Sequence, residues 1–267
     1  MNKTARLYTA KLLALNLLLL TAPAAYCGMI NPVSGAISDI GAIVTAPARI
    51  SRADLYPVAG IVGAGLVLYS LDGQIRHLAA KNQTKSLTDI SKQAEKLGNG
   101  GYDLAIAGVG ALAGYAFSDQ KLTNTSILAA ESFLAANAVG TAAKFVVGRS
   151  RPYAGDGKNM YHFFNFKTPR TSFPSGHTTS AFSVASVYAY SYDSWAVKAA
   201  AYGLAGLVAL QRVYADKHWA SDVFFGAALG TATGRLVTAK ARGGEKKVTL
   251  LPVYAPGYAG ATAMLKF

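Results

Sequence analysis

Three clusters stand in order along this 267-residue chain: Lys144-Phe-Val-Val-Gly-Arg-Ser-Arg151-Pro152, Pro174-Ser-Gly-His177 and Arg212-Val-Tyr-Ala-Asp-Lys-His218-Trp-Ala-Ser-Asp222. Lys144 and Arg151 are seven apart, about two helical turns, so a helix ending near Pro152 would put both cations on one face as an anion clamp. The same spacing also fits solvated charges at a helix C-terminus. Ser175 and Gly176 let a backbone approach a ligand closely, and a helix starting after Pro174 points free N–H groups at a phosphate. The plainer alternative is an ordinary helix start with Ser175 as its cap. His218 and Asp222 are four apart, so on a helix the carboxylate could accept Nδ1–H and aim Nε2 as a nucleophile, or the two could form a structural pair. A metal at this pair is opposed by the nearby cations, and Arg212 adds a guanidinium fork. Together the clusters supply charge neutralisation, a nucleophile and a proton donor, the parts needed for phosphoryl transfer.

The order Lys-x6-Arg-Pro, Pro-Ser-Gly-His, Arg-x5-His-x3-Asp resembles the type 2 phosphatidic acid phosphatase (PAP2) and vanadium haloperoxidase superfamily, which includes bacterial class A acid phosphatases. The resemblance covers residues from about 100 to 239. It implies that His218 attacks phosphorus to form a phosphohistidine, His177 protonates the leaving oxygen and Asp222 orients His218. Lys144, Arg151, Ser175, Gly176 and Arg212 would hold the phosphate, with no metal or other cofactor. One position departs: Gln211 stands where the family usually has serine before the arginine, and its amide can still donate to a phosphate oxygen.

Six segments rich in Ala and Gly, roughly 56–71, 101–117, 126–147, 177–192, 196–213 and 219–239, read as the helices that must position these residues. The fold class expected is all-α, a compact six-helix bundle with a short C-terminal β-hairpin. The hairpin is read from Lys247–Ala255 and Ala261–Phe267 around Pro256-Gly257. Residues 1–27 read as an export signal, with Lys3, Arg6 and Lys11 before an apolar run and Ala22-Pro-Ala-Ala25 at its end. Tyr26 before Cys27 argues against lipid attachment. Residues 28–55 form a lead-in, 56–239 the helical phosphatase domain, and 240–267 a basic linker with the hairpin. His77 falls outside every cluster and carries no role.

With one cysteine there is no intrachain disulfide, and a formal net charge of +13 draws the chain to phosphate esters or anionic lipid headgroups. Nucleic acid is excluded as a partner, because no basic run is interleaved with aromatics. Small-residue helices suit water and lipid equally. Several segments fall short of the roughly 20 residues a bilayer needs. If residues 28–55 lay outside and all six segments spanned, the loop 149–176 would face the cytosol. Both points favour a periplasmic phosphate monoester hydrolase, an acid phosphatase, possessing lipid phosphates or diphosphates among its substrates. The alternatives are an integral membrane lipid phosphate phosphatase, a vanadate-dependent haloperoxidase and a non-catalytic basic protein bound to anionic lipid. His162, among Tyr161, Phe163 and Phe164, lies in a loop that either shapes the entrance or packs on the bundle.

Overall fold

The computed structural model describes residues 32–45, 51–243, 247–255 and 258–266. The expected export signal and the Pro256-Gly257 turn lie outside them. Eight α-helices occur among the described residues: α1 (Pro32–Thr45), α2 (Arg52–Lys81), α3 (Lys85–Leu97), α4 (Gly100–Ala116), α5 (Gln120–Val147), α6 (Gly176–Ser191), α7 (Trp195–Tyr214) and α8 (Ala220–Gly243). The all-α bundle is as expected: α2 and α4 to α8 are its six helices. Strands β1 (Lys247–Ala255) and β2 (Tyr258–Lys266) pair antiparallel, Lys247 opposite Lys266.

The helix boundaries differ from expectation where the apolar pattern stops but the helix does not. Helix α2 begins at Ser51, whose backbone N–H donates to Asp54 Oδ2 (3.0 Å), and continues ten residues past the apolar run through Asp72, Arg76 and His77. The polar stretch 72–100, which falls between the first two expected helices, contains α3, capped by Thr84, whose side chain accepts from the Leu87 N–H. Helix α1 lies in the lead-in and is tied to α8 by an ion pair between Lys240 and buried Asp39 (2.5 Å).

Glycines on α8 set the register that matters most for the site. A Cβ on Gly226 would stand 2.7 Å from the Ser175 carbonyl oxygen, one on Gly230 2.4 Å from that of Thr179, and one on Gly234 2.7 Å from that of Ser183. Both helices advance by four residues at each contact, so α6 and α8 run parallel with their backbones touching. The core beside this seam is built from small residues, with Ala181, Ala185, Ala205 and Val208 in one cluster and Ala107, Leu128, Ala129, Phe133 and Val187 in another.

The expectation of a span too short for a bilayer fails for α2, which extends well beyond the expected 56–71. Helices α2 and α5 hold 30 and 28 residues and are apolar enough to cross a membrane. Only 6% of the apolar window of α2 is buried, against 44% for α5. Tyr56, Leu66 and Val67 of α2 are among the large apolar side chains left exposed.

Adding one methyl group tests the seam. Gly230→Ala is expected to destabilise the protein by about 1–3 kcal/mol through overpacking. Gly203→Ala on α7, where a Cβ meets nothing within 4 Å, is expected to hold or raise stability. Thermal unfolding of the two variants beside the parent checks both signs.

Candidate active site

The site lies at the end of the bundle where α5 and α7 finish and α6 and α8 begin. Helix α5 stops because Gly148 adopts a left-handed conformation (φ 58°), its N–H donating to the Lys144 carbonyl at 2.9 Å. A Cβ there would collide with the His162 carbonyl. Lys144 is therefore the last cation of the helix, and Arg151 lies beyond its end, past Gly148, Arg149 and Ser150. The expected shared helical face is not how the two meet. Instead both reach Thr171: Lys144 Nζ donates to its carbonyl at 3.0 Å, and Arg151 Nη2 to its hydroxyl at 3.3 Å. Lys144 also donates to the Pro174 carbonyl.

Helix α6 opens with Ser175, Gly176 and His177. Ser175 has no exposed surface; its Oγ accepts from Thr178 Oγ1 at 2.9 Å, which leaves its own hydrogen free to donate. A Cβ on Gly176 would lie 3.4 Å from Lys144 Cε, so the lysine stem runs alongside the helix start. The Ser175 N–H is taken by the Asp222 carbonyl (3.0 Å), which links the starts of α6 and α8.

His218 is buried at 3% exposure, and its Nδ1 lies 2.7 Å from the Ser172 carbonyl oxygen. A carbonyl only accepts, so Nδ1 carries the proton and Nε2 keeps its lone pair. Asp222 was expected to fill that role, but its Oδ2 is 4.0 Å from Nδ1. The reason is local: α8 begins at Ala220, so His218 precedes the helix and a spacing of four does not stack the side chains. Asp222 works one step removed, with Oδ2 accepting from Ser172 Oγ (2.5 Å) and from the Trp219 N–H (3.0 Å). Ser172 thus holds the carboxylate with its side chain and the imidazole with its carbonyl.

The same three cations act on both imidazoles. His177 is pushed down to about 3 by burial and by Arg212, Arg151 and Lys144, in that order. His218 is driven well below its usual value by burial, then by Lys144, Arg151 and Arg212. Both rings face one positive centre and are neutral when it is empty. Buried Arg151 Nε and Arg212 Nε have no partner in the protein among the described residues, which leaves donors open for an anion. Arg212 Nη1 and Nη2 both rest 3.3 Å from Glu95 Oε1, on half-exposed α3. Gln211 is buried with its Oε1 unpartnered.

Arg149 is the principal residue that sequence reasoning missed. It is 1% exposed, and Nη1 donates to Asp222 Oδ1 (2.7 Å) while Nη2 donates to Asp72 Oδ2 (2.8 Å). Burial pushes the Asp222 carboxyl up, and Arg149 is the largest influence holding it down. The Arg-Ser-Arg spacing gave no sign that one arginine would turn into the protein and the other toward the site. No cluster of three or more His, Cys, Asp or Glu suited to a metal occurs among the described residues.

The chain is similar to known proteins. Residues 126–243 match the family model of the PAP2 superfamily, and that segment contains all three clusters. The resemblance read from the clusters is therefore borne out over that segment. A lipid A 1-phosphatase of Porphyromonas gingivalis is 28% identical over 181 residues, which cover 66% of this chain and 36% of that protein. The chain thus spans about a third of the length of this curated relative. A transmembrane PAP2-type phosphatidylglycerolphosphate phosphatase from Bacillus subtilis shares the fold, with TM-score 0.53 and 23% identity across 80% of this chain and 98% of that one. Aquifex aeolicus LpxE aligns with TM-score 0.46 and 22% identity over 62% of this chain and 93% of its own.

Anion binding is expected to bring a proton with it. His177 is neutral above about pH 3 in the empty site, and a bound dianion offsets the three cations and raises its affinity for a proton. Calorimetric titration with tungstate near pH 7, in buffers of different ionisation enthalpy, should show uptake of up to about one proton. In His177→Gln the uptake should vanish while tungstate still binds.

Proposed function

We propose that this protein is a membrane-embedded phosphatase that hydrolyses the phosphate ester of a lipid through a phosphohistidine. The observation carrying the reading is the convergence of Lys144, Arg151 and Arg212 on two neutral imidazoles, with open guanidinium donors, at one end of a bundle whose α2 exposes apolar side chains. Bare apolar surface of this extent is unfavourable in water, at about 25 cal/mol per Å², and is at home in lipid.

The chemistry follows from the positions. Nε2 of His218 attacks phosphorus with its free lone pair, the bond to the leaving oxygen breaks, and protonated His177 delivers its proton to that oxygen. The bound phosphate itself brings His177 into the protonated state. Water then attacks the phosphohistidine with neutral His177 as base, releasing orthophosphate. Lys144, Arg151, Arg212, the Ser175 hydroxyl and the Gly176 amide neutralise the equatorial oxygens, so the protein's own cations do the work a metal ion does elsewhere.

Several features support a lipid rather than a soluble ester. The relatives are named for lipid phosphates: lipid A 1-phosphate and phosphatidylglycerolphosphate. Phe163, Phe164 and Phe166, on the loop that follows Arg151, are each more than 60% exposed, and Phe166 stacks on Phe145 at 4.5 Å. Helix α3, lying across the site end, carries Leu87 and Ile90 exposed beside Lys85 and Lys92, a composition suited to a headgroup layer. The parity objection to a membrane form also falls away. Helix α2 enters from the end opposite the site, so a cytosolic start to α2 places the site outside.

Phosphate release by detergent-purified protein tests the reading, with phosphatidic acid, phosphatidylglycerolphosphate and lipid A in micelles set against a soluble aryl phosphate. Expected are turnover of a lipid substrate well above that of the aryl ester, no loss on chelation of divalent metals, and background turnover in His218→Ala. Retained activity in His218→Ala would remove the nucleophile assignment, and detergent-free protein favouring the aryl ester would remove the membrane assignment.

A further inference from the structure

Helix α2 does more than face lipid: its last third reaches the catalytic loop with two charged residues four apart, on one face. Asp72, 1% exposed, accepts from Arg149 Nη2 (2.8 Å), the Ser221 N–H (2.9 Å) and Ser221 Oγ (2.6 Å). Arg76 forks onto Asp216, Nε to Oδ1 at 2.7 Å and Nη2 to Oδ2 at 2.8 Å. Asp216 sits between Arg212 and His218 in the sequence, with a left-handed backbone at φ 57°. The Arg76 guanidinium is also 5.6 Å from the Trp219 ring centre, and Arg149's is 5.5 Å from it. Trp219 in turn donates Nε1–H to the Ser150 carbonyl at 2.9 Å. The 213–219 turn closes on itself through the Lys217 and His218 N–H groups, both donating to the Arg212 carbonyl. The shape of this turn therefore sets where Arg212 stands relative to His218.

We infer that Arg76 and Asp72 of α2 are positioning residues of the phosphoryl-transfer centre, Arg76 fixing the Arg212–His218 turn through Asp216 and Asp72 fixing Arg149 and the start of α8. Neither touches substrate. Both lie outside residues 126–243, so the segment matched by the family model does not contain its own supports. A salt bridge as exposed as Arg76–Asp216, with side chains 39% and 34% accessible, contributes little to stability. Its value lies in geometry, because a misplacement of about 1 Å at a reacting group costs on the order of 100-fold in rate.

The inference rests on the phosphatase reading, and a double-mutant cycle tests it in the full-length detergent-purified protein. Arg76→Ala removes the fork, and Asp216→Asn keeps a residue that tolerates the left-handed backbone while removing the charge. Each is expected to lower kcat about tenfold or more, with KM within about threefold and tungstate still binding at one site per chain. The double variant should be no slower than the worse single one. Wild-type kcat in folded Arg76→Ala, or losses that multiply in the double variant, would overturn the coupling. Should the parent hydrolyse no phosphate ester, the phosphatase reading fails first. The His218 Nδ1–H proton resonance then decides the inference: perturbation in Arg76→Ala supports it and an unchanged signal overturns it.

Discussion

A carboxylate with no exposed surface needs its charge answered within the protein, and Asp222 is where this structure does so. Transfer of such a group from water to the interior costs several kcal/mol even after relaxation. Asp222 meets that cost with the Arg149 guanidinium, the Ser172 hydroxyl and the Trp219 N–H. Each partner is shared onward. Arg149 is bound by Asp72 of α2, Ser172 holds His218, and Trp219 is bonded to Ser150 beside the site loop. Residues from α2, the 149–172 segment and α8 are thereby held by one charge, and His218 hangs from it through the Ser172 carbonyl.

Lipid and water ask different things of such a bundle. The seam between α6 and α8 uses glycine and small polar residues, so it needs close backbone contact more than the hydrophobic effect. The polar groups of that seam are internally satisfied: Thr179 and Ser183 hydroxyls bond to carbonyls of their own helix. The outside of α2 does the reverse, presenting apolar side chains with almost nothing covering them. An interior tolerant of either solvent explains why composition left the solvent open, and the exposed apolar face of α2 is the feature on which the membrane reading rests.

The sequence made the three clusters legible because their residue types and order carry the chemistry directly, and the bundle was legible because six apolar segments repeat. What escaped were the features that depend on where helices end. Lys144 and Arg151 looked like neighbours on a helix, yet Gly148 turns the chain between them. His218 and Asp222 looked like a stacked pair, yet α8 starts after the histidine. Helix α3 and the last third of α2 escaped because their charged residues read as loop, while Asp72 and Arg76 take their meaning only from side chains more than seventy residues away.

Parallel packing of α6 and α8 has an electrical side. Two aligned helices bring their positive ends to one place, beside three cationic side chains, so the unoccupied centre is a concentration of like charge that the fold holds together against its own repulsion. Any dianion that arrives relaxes it. The protein is thus most at ease when filled, and on the phosphatase reading the orthophosphate left after turnover would satisfy the centre much as the ester did. On that reading, affinity for the product would come with the means of capture, and the pace of emptying would be a property of the same helices that give the site its grip.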